Sequence, residues 1–228
     1  MTTWQVITGD CLEVMPTLTA KVDAVITDPP YGTGAWKREQ TGAGSDPRAV
    51  LQKEPWDVWN VAWLDAAASI APTIVSFVPT IRLADFYQWI GDRSHRLFMW
   101  TKPDPRPRFS GQPSFSFESF FVVGKVRPVG GDDWINKSSP RQYRDWDGTG
   151  HPHQKPVVVM RRAIELATNP GALILDPFCG SGTTGVACMQ TGRNFIGIEI
   201  DPGYADIARE RIAKAEAQAR QLPLIEAG

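Results

Sequence analysis

The chain has 228 residues, of which 42% are hydrophobic and 21% charged, and its formal net charge is −1. This length predicts a single domain, and the balance of apolar and charged residues excludes a disordered or fibrous chain. No run of about 18 apolar residues and no signal peptide are found, so we expect no transmembrane helix and a cytoplasmic location. Cys11, Cys179 and Cys188 show no paired spacing, as expected for reduced thiols.

Apolar segments alternate with helical patterns, which predicts an α/β fold built on one doubly wound, mostly parallel sheet. In the first half we expect strands at 4–8, 22–28 and 72–78, a short helix after Asp10, a helix from about 57 to 70, and a helix capped by Thr80 that ends before Gly91. In the second half we expect strands at 96–102, 116–125, 172–176 and 194–200, and helices from Pro156, from about Thr183 and after residue 200. The polar stretch 33–55 and the stretch 127–150, which is rich in Pro, Gly and charge, interrupt this order, and 103–115 (PDPRPRFSGQPSF) is expected to be a further loop.

The segment LILDPFCGSGTTG (173–185) combines a strand, a tight glycine turn and a helix start. Its backbone N–H groups and the positive helix end should face a ligand above the strand. Gly180, Gly182 and Gly185 satisfy the dinucleotide-binding spacing, and Glu199 ends the next predicted strand. A nicotinamide (NAD-dependent) dehydrogenase is therefore one hypothesis for this chain.

Acidic residues at the predicted strand ends favour a different ligand. Asp176 immediately precedes the glycine turn, where its carboxylate would repel a pyrophosphate. Together with Asp10, Asp28 and Glu199 it suits a cationic ligand that carries ribose hydroxyls, and S-adenosylmethionine fits that description. An alternative role for Asp176, capping the turn before Pro177, stays open.

The segment TDPPYG (27–32) places an acid, two prolines and an aromatic ring where a buried strand should end. Proline lacks a backbone N–H and fixes φ near about −65°, so Pro29 and Pro30 predict a stiff extended segment. By itself this pattern also occurs in rigid surface turns.

Three motifs in one order resemble the amino-methylating DNA methyltransferases, which act on N6 of adenine or N4 of cytosine. They are DPPYG, HPHQKP (151–156) and DPFCGSGTT (176–184), and their order is similar to the permuted beta-class branch, in which the tetrad precedes the cofactor loop. The resemblance covers nearly the whole chain except residues 33–55 and 127–150. It implies a Rossmann-like methyltransferase domain over 1–228, S-adenosyl-L-methionine as cofactor and double-stranded DNA as substrate.

The resemblance also implies catalytic roles for the tetrad. Asp28 and the Pro29 carbonyl would accept the two N–H bonds of the target amine, Pro30 would add rigidity, and Tyr31 would stack on the flipped base. A tetrad that begins with Asp favours adenine N6, with cytosine N4 as the alternative. A non-catalytic binder with the same fold is the hypothesis from another functional class.

Cofactor contacts are implied for Asp10, Cys11, His153, Lys155, Asp176, Phe178, Cys179, Gly180, Gly182, Thr183, Thr184, Glu199 and Ile200. A metal site at His151 and His153 is not expected, because no acid or cysteine lies nearby at ligand spacing. The cysteines need no catalytic role, because none lies in the Pro-Cys loop that carbon-5 cytosine methylation uses.

DNA contacts are predicted in the two interrupting stretches. Residues 33–55 read as a mobile loop and 127–150 as a short target-recognition insertion, in which basic and aromatic residues interleave. The residues proposed are Trp36, Lys37, Arg38, Lys137, Arg141 and Arg144. A homodimer and a cognate restriction endonuclease are open partner options, and no membrane partner is expected.

Relatives often carry a His-Glu pair where this chain has Phe117 and Glu118, so a contact made by that histidine is not expected here.

Overall fold

The computed structural model describes residues 2–32, 59–101, 117–128 and 154–221, together with the backbone of 36–37, 52–53 and 134–135. The first half contains β1 (Trp4–Thr8), α1 (Cys11–Val14), β2 (Ala24–Thr27), β3 (Trp36–Lys37), β4 (Gln52–Lys53), α2 (Ala62–Ile70), β5 (Ile74–Val78) and α3 (Leu83–Ile90). The second half contains β6 (His95–Thr101), β7 (Phe117–Val123), β8 (Trp134–Ile135), α4 (Val157–Ala167), β9 (Leu173–Asp176), α5 (Thr183–Thr191), β10 (Asn194–Glu199) and α6 (Pro202–Gln221).

The predicted α/β architecture is confirmed, with eight strands in one sheet in the order β1-β10-β9-β2-β5-β7-β6-β8. β7 runs antiparallel to both of its neighbours, and the other pairings of this sheet are parallel. Strands β2 and β5 are buried along their whole length, which explains why they read as continuous apolar runs rather than as alternating patterns.

Two helix starts differ from the sequence prediction. Thr80 does not cap a helix with its side chain; it begins a single 3₁₀ turn after Pro79, and α3 follows at Leu83. Pro156 precedes α4 in an extended conformation with ψ of 137°, so the helix begins one residue later, at Val157.

Helices cover both faces of the sheet. On one face α4, α5 and α6 pack on the sheet, with side chains such as Ile164, Ala187 and Ile212 fully buried. On the other face α1, α2 and α3 pack around Leu64 and Phe86. Within the described ranges no helix combines the length and apolar character needed to span a bilayer.

The sheet reverses its winding direction between β9 and β2. From β9 the chain passes through α5 to β10 on one side, whereas from β2 it passes through α2 to β5 on the other. Ligands of doubly wound sheets bind outside the carboxyl ends of the strands at such a switch point. In this sheet the switch point lies at the carboxyl ends of β9 and β2, which lead into the glycine loop and Asp28.

Candidate active site

The carboxyl ends of β2 and β9 lie side by side, because Val25 pairs with Leu175 in parallel register. β2 leads directly into Asp28, and β9 ends at Asp176, where the glycine loop begins. Two stretches that are remote in the sequence therefore share one edge of the sheet.

Asp176 joins these stretches through a buried hydrogen-bond network. Thr27 Oγ1 donates to its Oδ1 at 2.6 Å, and Thr184 Oγ1, in the first turn of α5, donates to Oδ2 at 2.5 Å. The N–H of Phe178 also donates to Oδ1, at 3.1 Å, which is the turn-capping bond that the sequence left open. Because the side chain is buried and both oxygens accept bonds from the protein, Asp176 shapes the loop from beneath.

Burial is also the main cause that raises the pKa of Asp176, from 3.8 to about 6, against the opposing effect of the donors from Thr184, Thr27 and Phe178. The neighbouring Asp28 carboxylate adds to the increase. Asp176 therefore holds its proton more tightly in the folded state than in the unfolded state.

We expect this shift to appear in the free energy of unfolding. Between about pH 4 and 6 Asp176 is protonated in the folded state and ionised in the unfolded state, so unfolding releases its proton. The stabilisation that comes from this bound proton is therefore lost as pH rises through this window. The unfolding free energy of the wild type minus that of Asp176→Asn should fall by roughly 2–3 kcal/mol from pH 4 to 7. Urea unfolding of both proteins at unit pH steps measures this difference, and a difference that is constant or grows with pH would contradict the expectation.

The Asp28 carboxylate has a different donor on each oxygen. Tyr31 Oη donates to Oδ1 at 2.6 Å, and Lys155 Nζ donates to Oδ2 at 2.6 Å. The Asp28 side chain is 22% exposed, so it can be reached from outside, unlike Asp176. Pro29 is buried, and Pro30 follows it, which fixes the short segment between the carboxylate and the tyrosine.

Lys155 lies against this tetrad, just before α4. Its Nζ is 3.1 Å from Glu118 Oε2 and 3.3 Å from Tyr31 Oη, and the side chain is 9% exposed. The ammonium also lies 5.2 Å from the ring centroid of Phe77. Burial by itself lowers the pKa of Lys155, but Asp28, Tyr31 and Glu118 together hold it well above its usual value, so the side chain is charged.

The tyrosine hydroxyl is held in its neutral form in this network. Burial, followed by the charge of Asp28, raises the pKa of Tyr31 well above 10. Tyr31 is therefore a donor to Asp28 rather than a competing anion.

The glycine loop is fixed by β10 and α6. The N–H of Gly180 donates to Glu199 Oε2 at 2.7 Å, and the N–H of Asp201 donates to Oε1 at 2.9 Å. Arg211 of α6 donates to the carbonyl oxygen of Ser181 and, at 3.1 Å, to its hydroxyl. Burial raises the pKa of Glu199, while the backbone N–H donors of Asp201, Gly180 and Ile200 oppose that increase.

Beside Glu199 the strand ends present apolar surface. Ile200 is 52% exposed and Leu12 is 38% exposed. The start of α1 is joined to β10 by a bond from the N–H of Gly9 to the Glu199 carbonyl oxygen at 2.9 Å, and Asp10 Oδ1 caps α1 by accepting from Leu12 N–H at 2.8 Å.

These groups fit S-adenosylmethionine. Each Glu199 oxygen accepts one backbone N–H and keeps a second lone pair, which suits the two hydroxyls of a ribose. The exposed side chains of Leu12 and Ile200 offer apolar contact for a purine ring. The excess of carboxylates around Asp28 suits a cationic sulfonium.

The cysteines offer no nucleophile. All three are buried, and burial raises the pKa of Cys11 to about 12 and those of Cys179 and Cys188 well above 9. The Cys179 side chain packs under Gly197, where an added Cβ would meet its Sγ at 2.7 Å. Carbon-5 cytosine methylation, which needs a thiolate, is not supported by this geometry.

Comparison with known proteins decides the family. The profile of the N6_N4_Mtase family, described as DNA methylase, matches residues 22–210 of the chain. The chain belongs to this DNA methylase family. YubD of Escherichia coli strain K12, which is named as a methylase, is 31% identical over 228 residues, covering 94% of this chain and 92% of YubD. The type II methyltransferase M2.DpnII of Streptococcus pneumoniae is 46% identical over 81 residues, 36% of this chain and 30% of that protein.

Solved methyltransferase structures share the architecture of this methylase. The complex of M1.HpyAVI with S-adenosylmethionine matches with a TM-score of 0.66 at 26% identity, covering 92% of this chain and 100% of that chain. The cytosine-N4-specific PvuII DNA methyltransferase matches with a TM-score of 0.64 at 18% identity, covering 96% of this chain and 93% of that one, and it shares the fold. S-adenosylmethionine is therefore the cofactor of this methylase, and the dehydrogenase hypothesis is set aside.

The structure brings most of the predicted site residues of the methylase to one edge of the sheet. Asp28, Tyr31 and Lys155 are linked by hydrogen bonds, Asp176 is bonded to Thr184 and to Thr27, the residue before the tetrad, and Gly180 is bonded to Glu199. Phe178 packs edge-on against Trp63, with ring centroids 5.4 Å apart. Gly182 and Thr183 begin α5, and Asp10 and Cys11 begin α1.

Other predicted residues lie outside the described part of the chain. They are His153 of the cofactor set, Arg38, Lys137, Arg141 and Arg144 of the DNA set, and the side chains of Trp36 and Lys37. The described residues contain no group of three or more His, Cys, Asp or Glu side chains placed to hold a metal ion. The absence of a metal requirement stays a prediction.

Sequence reasoning missed two contributors to the site. Glu118 matches the acid of the His-Glu pair of relatives but receives no role from the sequence, although a charged residue inside the apolar strand β7 is itself a signal. Thr27 was read as part of a buried strand, and nothing local to it indicates its bond to Asp176.

Proposed function

We propose that this methylase transfers a methyl group to the exocyclic N6 of adenine in double-stranded DNA, after the base has turned out of the duplex. The observation that carries this proposal is the position of the Asp28 carboxylate. It is partly exposed at the end of β2, beside the strand end from which the glycine loop starts. An amine-methylating enzyme needs a fixed hydrogen-bond acceptor of this kind next to its cofactor.

The chemistry requires that a weak nucleophile be prepared for attack. The lone pair of an exocyclic amine is delocalised into the base, and it becomes available when both N–H bonds point to acceptors on one side. The Asp28 carboxylate and the Pro29 carbonyl would supply these acceptors, held still by the two prolines. S-adenosylmethionine supplies the electrophilic methyl group. As the N–CH₃ bond forms and the C–S bond of the sulfonium breaks, positive charge would develop on the amine and Asp28 would stabilise it, until loss of one N–H proton makes the methylated amine neutral.

Tyr31 would exchange one partner for another when the base enters. Its hydroxyl now donates to Asp28 Oδ1, which is one of the atoms that the amine needs. An incoming amine N–H would replace the hydroxyl on this oxygen, and the ring would then be free to stack on the base.

The cofactor would be held by the glycine loop and the strand ends beside it. Glu199 would accept from the ribose hydroxyls, Ile200 would contact the adenine ring, and the backbone around Gly180 and Gly182 would face the cofactor. The direct contacts assigned to Cys11, Phe178, Cys179, Thr183 and Thr184 belong to this proposal. The support is that Glu199 accepts a backbone N–H from Gly180 of the loop, and that these residues lie in the loop or at the starts of α1 and α5.

Adenine is proposed over cytosine because the tetrad begins with Asp, which the resemblance associates with adenine enzymes. Incubating DNA with the methylase and S-adenosylmethionine, digesting it to nucleosides and analysing them by mass spectrometry should yield N6-methyl-2′-deoxyadenosine as the methylated nucleoside. The same digest of DNA incubated without enzyme is the control. A product consisting solely of N4-methylcytosine would overturn the base assignment, while leaving the amine chemistry in place.

The DNA interface extends the proposal to the two interrupting stretches. We assign DNA contact to residues 33–55 and 127–150 on their basic and aromatic composition, and we place the methylase in the permuted branch on the order of its motifs. The homodimer and the cognate restriction endonuclease stay open partner options.

A further inference from the structure

We propose that Lys155 and Glu118 form a positioning pair that fixes the charge and the rotation of the Asp28 carboxylate. The inference rests on the proposed function, since it gives these two side chains a role in preparing the acceptor of the target amine. It assigns Lys155 to the tetrad rather than to the cofactor.

The ammonium group of Lys155 donates hydrogen bonds to Asp28 and Tyr31 and forms an ion pair with Glu118. Nζ lies 2.6 Å from Asp28 Oδ2, 3.1 Å from Glu118 Oε2 and 3.3 Å from Tyr31 Oη. Asp28 and Tyr31 lie in the segment that follows β2 and Glu118 lies in β7, and Lys155 reaches them from just before α4. A side chain that is 9% exposed and contacts both of these segments has little freedom to move.

The balance of charges around Asp28 depends on this lysine. Among the residues that the structure describes, the titratable groups that face Asp28 are Tyr31, Lys155, Glu118 and the deeper Asp176. Lys155 is the cation of this set, so its removal would leave three carboxylates close together, and protonation of one of them would relieve the repulsion. Protonated Asp28 would lose the negative charge that favours the developing cationic amine.

Glu118 prevents the lysine from cancelling that charge. An ammonium shared between two carboxylates leaves the trio of Asp28, Glu118 and Lys155 with a net charge of −1, whereas a lysine paired with Asp28 alone would leave none. The shared arrangement therefore leaves a net negative charge beside the target amine that attracts positive charge.

The same contact selects the oxygen that meets the substrate. Lys155 Nζ holds Oδ2, and Tyr31 Oη holds Oδ1. A neutral hydroxyl is exchanged more easily than a buried ion pair, so Oδ1 is the oxygen that receives the amine N–H.

The test compares Lys155→Met with the wild type, using steady-state methyl transfer to DNA from pH 5.5 to 8.5. Methionine keeps the apolar contact with Phe77 and removes the charge. We expect kcat at pH 7 to fall about 100-fold or more, and the acidic limb of the kcat profile to move to higher pH by about one unit. Affinity for S-adenosylhomocysteine should stay within about threefold of the wild type. Lys155→Arg, which keeps the charge, should recover part of kcat and return the limb toward its original position.

Two further variants separate charge from packing. Glu118→Gln removes one carboxylate with little change of shape, and we expect it to lower kcat about 5- to 20-fold and to move the acidic limb to lower pH. In the double variant Lys155→Met/Glu118→Gln the limb should return toward the wild-type position, because one competing carboxylate is gone. Lys125→Met removes an exposed lysine beyond the far end of β7 and serves as the matched control.

The outcomes distinguish this inference from the proposed function. A Lys155→Met enzyme with wild-type kcat overturns the inference alone, and so does a uniform loss of kcat with no movement of the acidic limb in either Lys155→Met or Glu118→Gln. A wild-type protein that transfers no methyl group to DNA amines overturns the proposed function and the inference with it.

Discussion

Replacing Asp28 with alanine should reduce methyl transfer to DNA by about 1,000-fold or more while affinity for S-adenosylhomocysteine stays within about threefold. The variant removes the acceptor that directs the amine and the charge that stabilises it as it becomes cationic, and losses of about 100- to 1,000-fold are typical for a single group of this kind. Cofactor binding should persist because the glycine loop is held by Asp176, Glu199 and Arg211, not by Asp28. Single-turnover transfer and equilibrium binding measure the two quantities separately.

Two variants control the Asp28→Ala result. Asp28→Asn keeps the shape of the side chain and one carbonyl oxygen, but its NH₂ group would face one of the two donors to Asp28, Tyr31 or Lys155. We therefore expect an intermediate loss of about 100-fold in the rate of methyl transfer. Asp92→Ala removes an exposed carboxylate in the turn before β6, at the opposite edge of the sheet, and should behave as the wild type. Methyl transfer by Asp28→Ala at more than about a tenth of the wild-type rate would contradict the catalytic role. A non-catalytic binder would instead show no transfer with any of these proteins.

Replacing Gly182 with alanine should lower the free energy of unfolding by about 2–4 kcal/mol and weaken cofactor binding at least about tenfold. Gly182 has φ of +81°, and an added Cβ would lie 2.9 Å from both Cα and Cβ of Ala208 in α6. The contact involves backbone, so relief requires either the loop or α6 to move. Such a movement would disturb the loop N–H of Gly180, which is bonded to Glu199.

Gly192→Ala is the matched control for Gly182→Ala. Gly192 has φ of +70°, but no atom lies within 4 Å of its added Cβ. This variant therefore has the backbone strain without the clash, and we expect it to cost about 1 kcal/mol with no effect on the cofactor. Thermal and urea unfolding together with S-adenosylhomocysteine titration measure both effects. Equal losses of stability and affinity in the two variants would contradict the role of the loop–α6 contact.

The elements that carry the site were predictable from the sequence for a physical reason. β2 and β9 are short apolar runs that end at an acid, and each is followed by residues with strong backbone preferences, proline in one case and glycine in the other. Because parallel strands of a doubly wound sheet end at one edge, Asp28 and Asp176 could be placed near one another without coordinates.

The side-chain pairings within that edge were not predictable. Lys155 reaches Asp28 across 127 residues of sequence, and its partners depend on the crossing of α4 over the sheet. The bond from Thr27 to Asp176 is of the same kind, because it depends on the register of β2 against β9, which brings Thr27 Oγ1 within 2.6 Å of the carboxylate. Local preference was misleading at Thr80, where a cap residue stands in a 3₁₀ turn that follows a proline.

A crystal structure of the methylase with S-adenosylhomocysteine tests most directly whether the tetrad and the glycine loop serve a single site. We expect the ribose hydroxyls at Glu199 and the thioether sulfur in the space between the loop and the Asp28 carboxylate. A ligand bound at the opposite edge of the sheet, or a wall of protein side chains between the sulfur and Asp28, would contradict methyl transfer at this place.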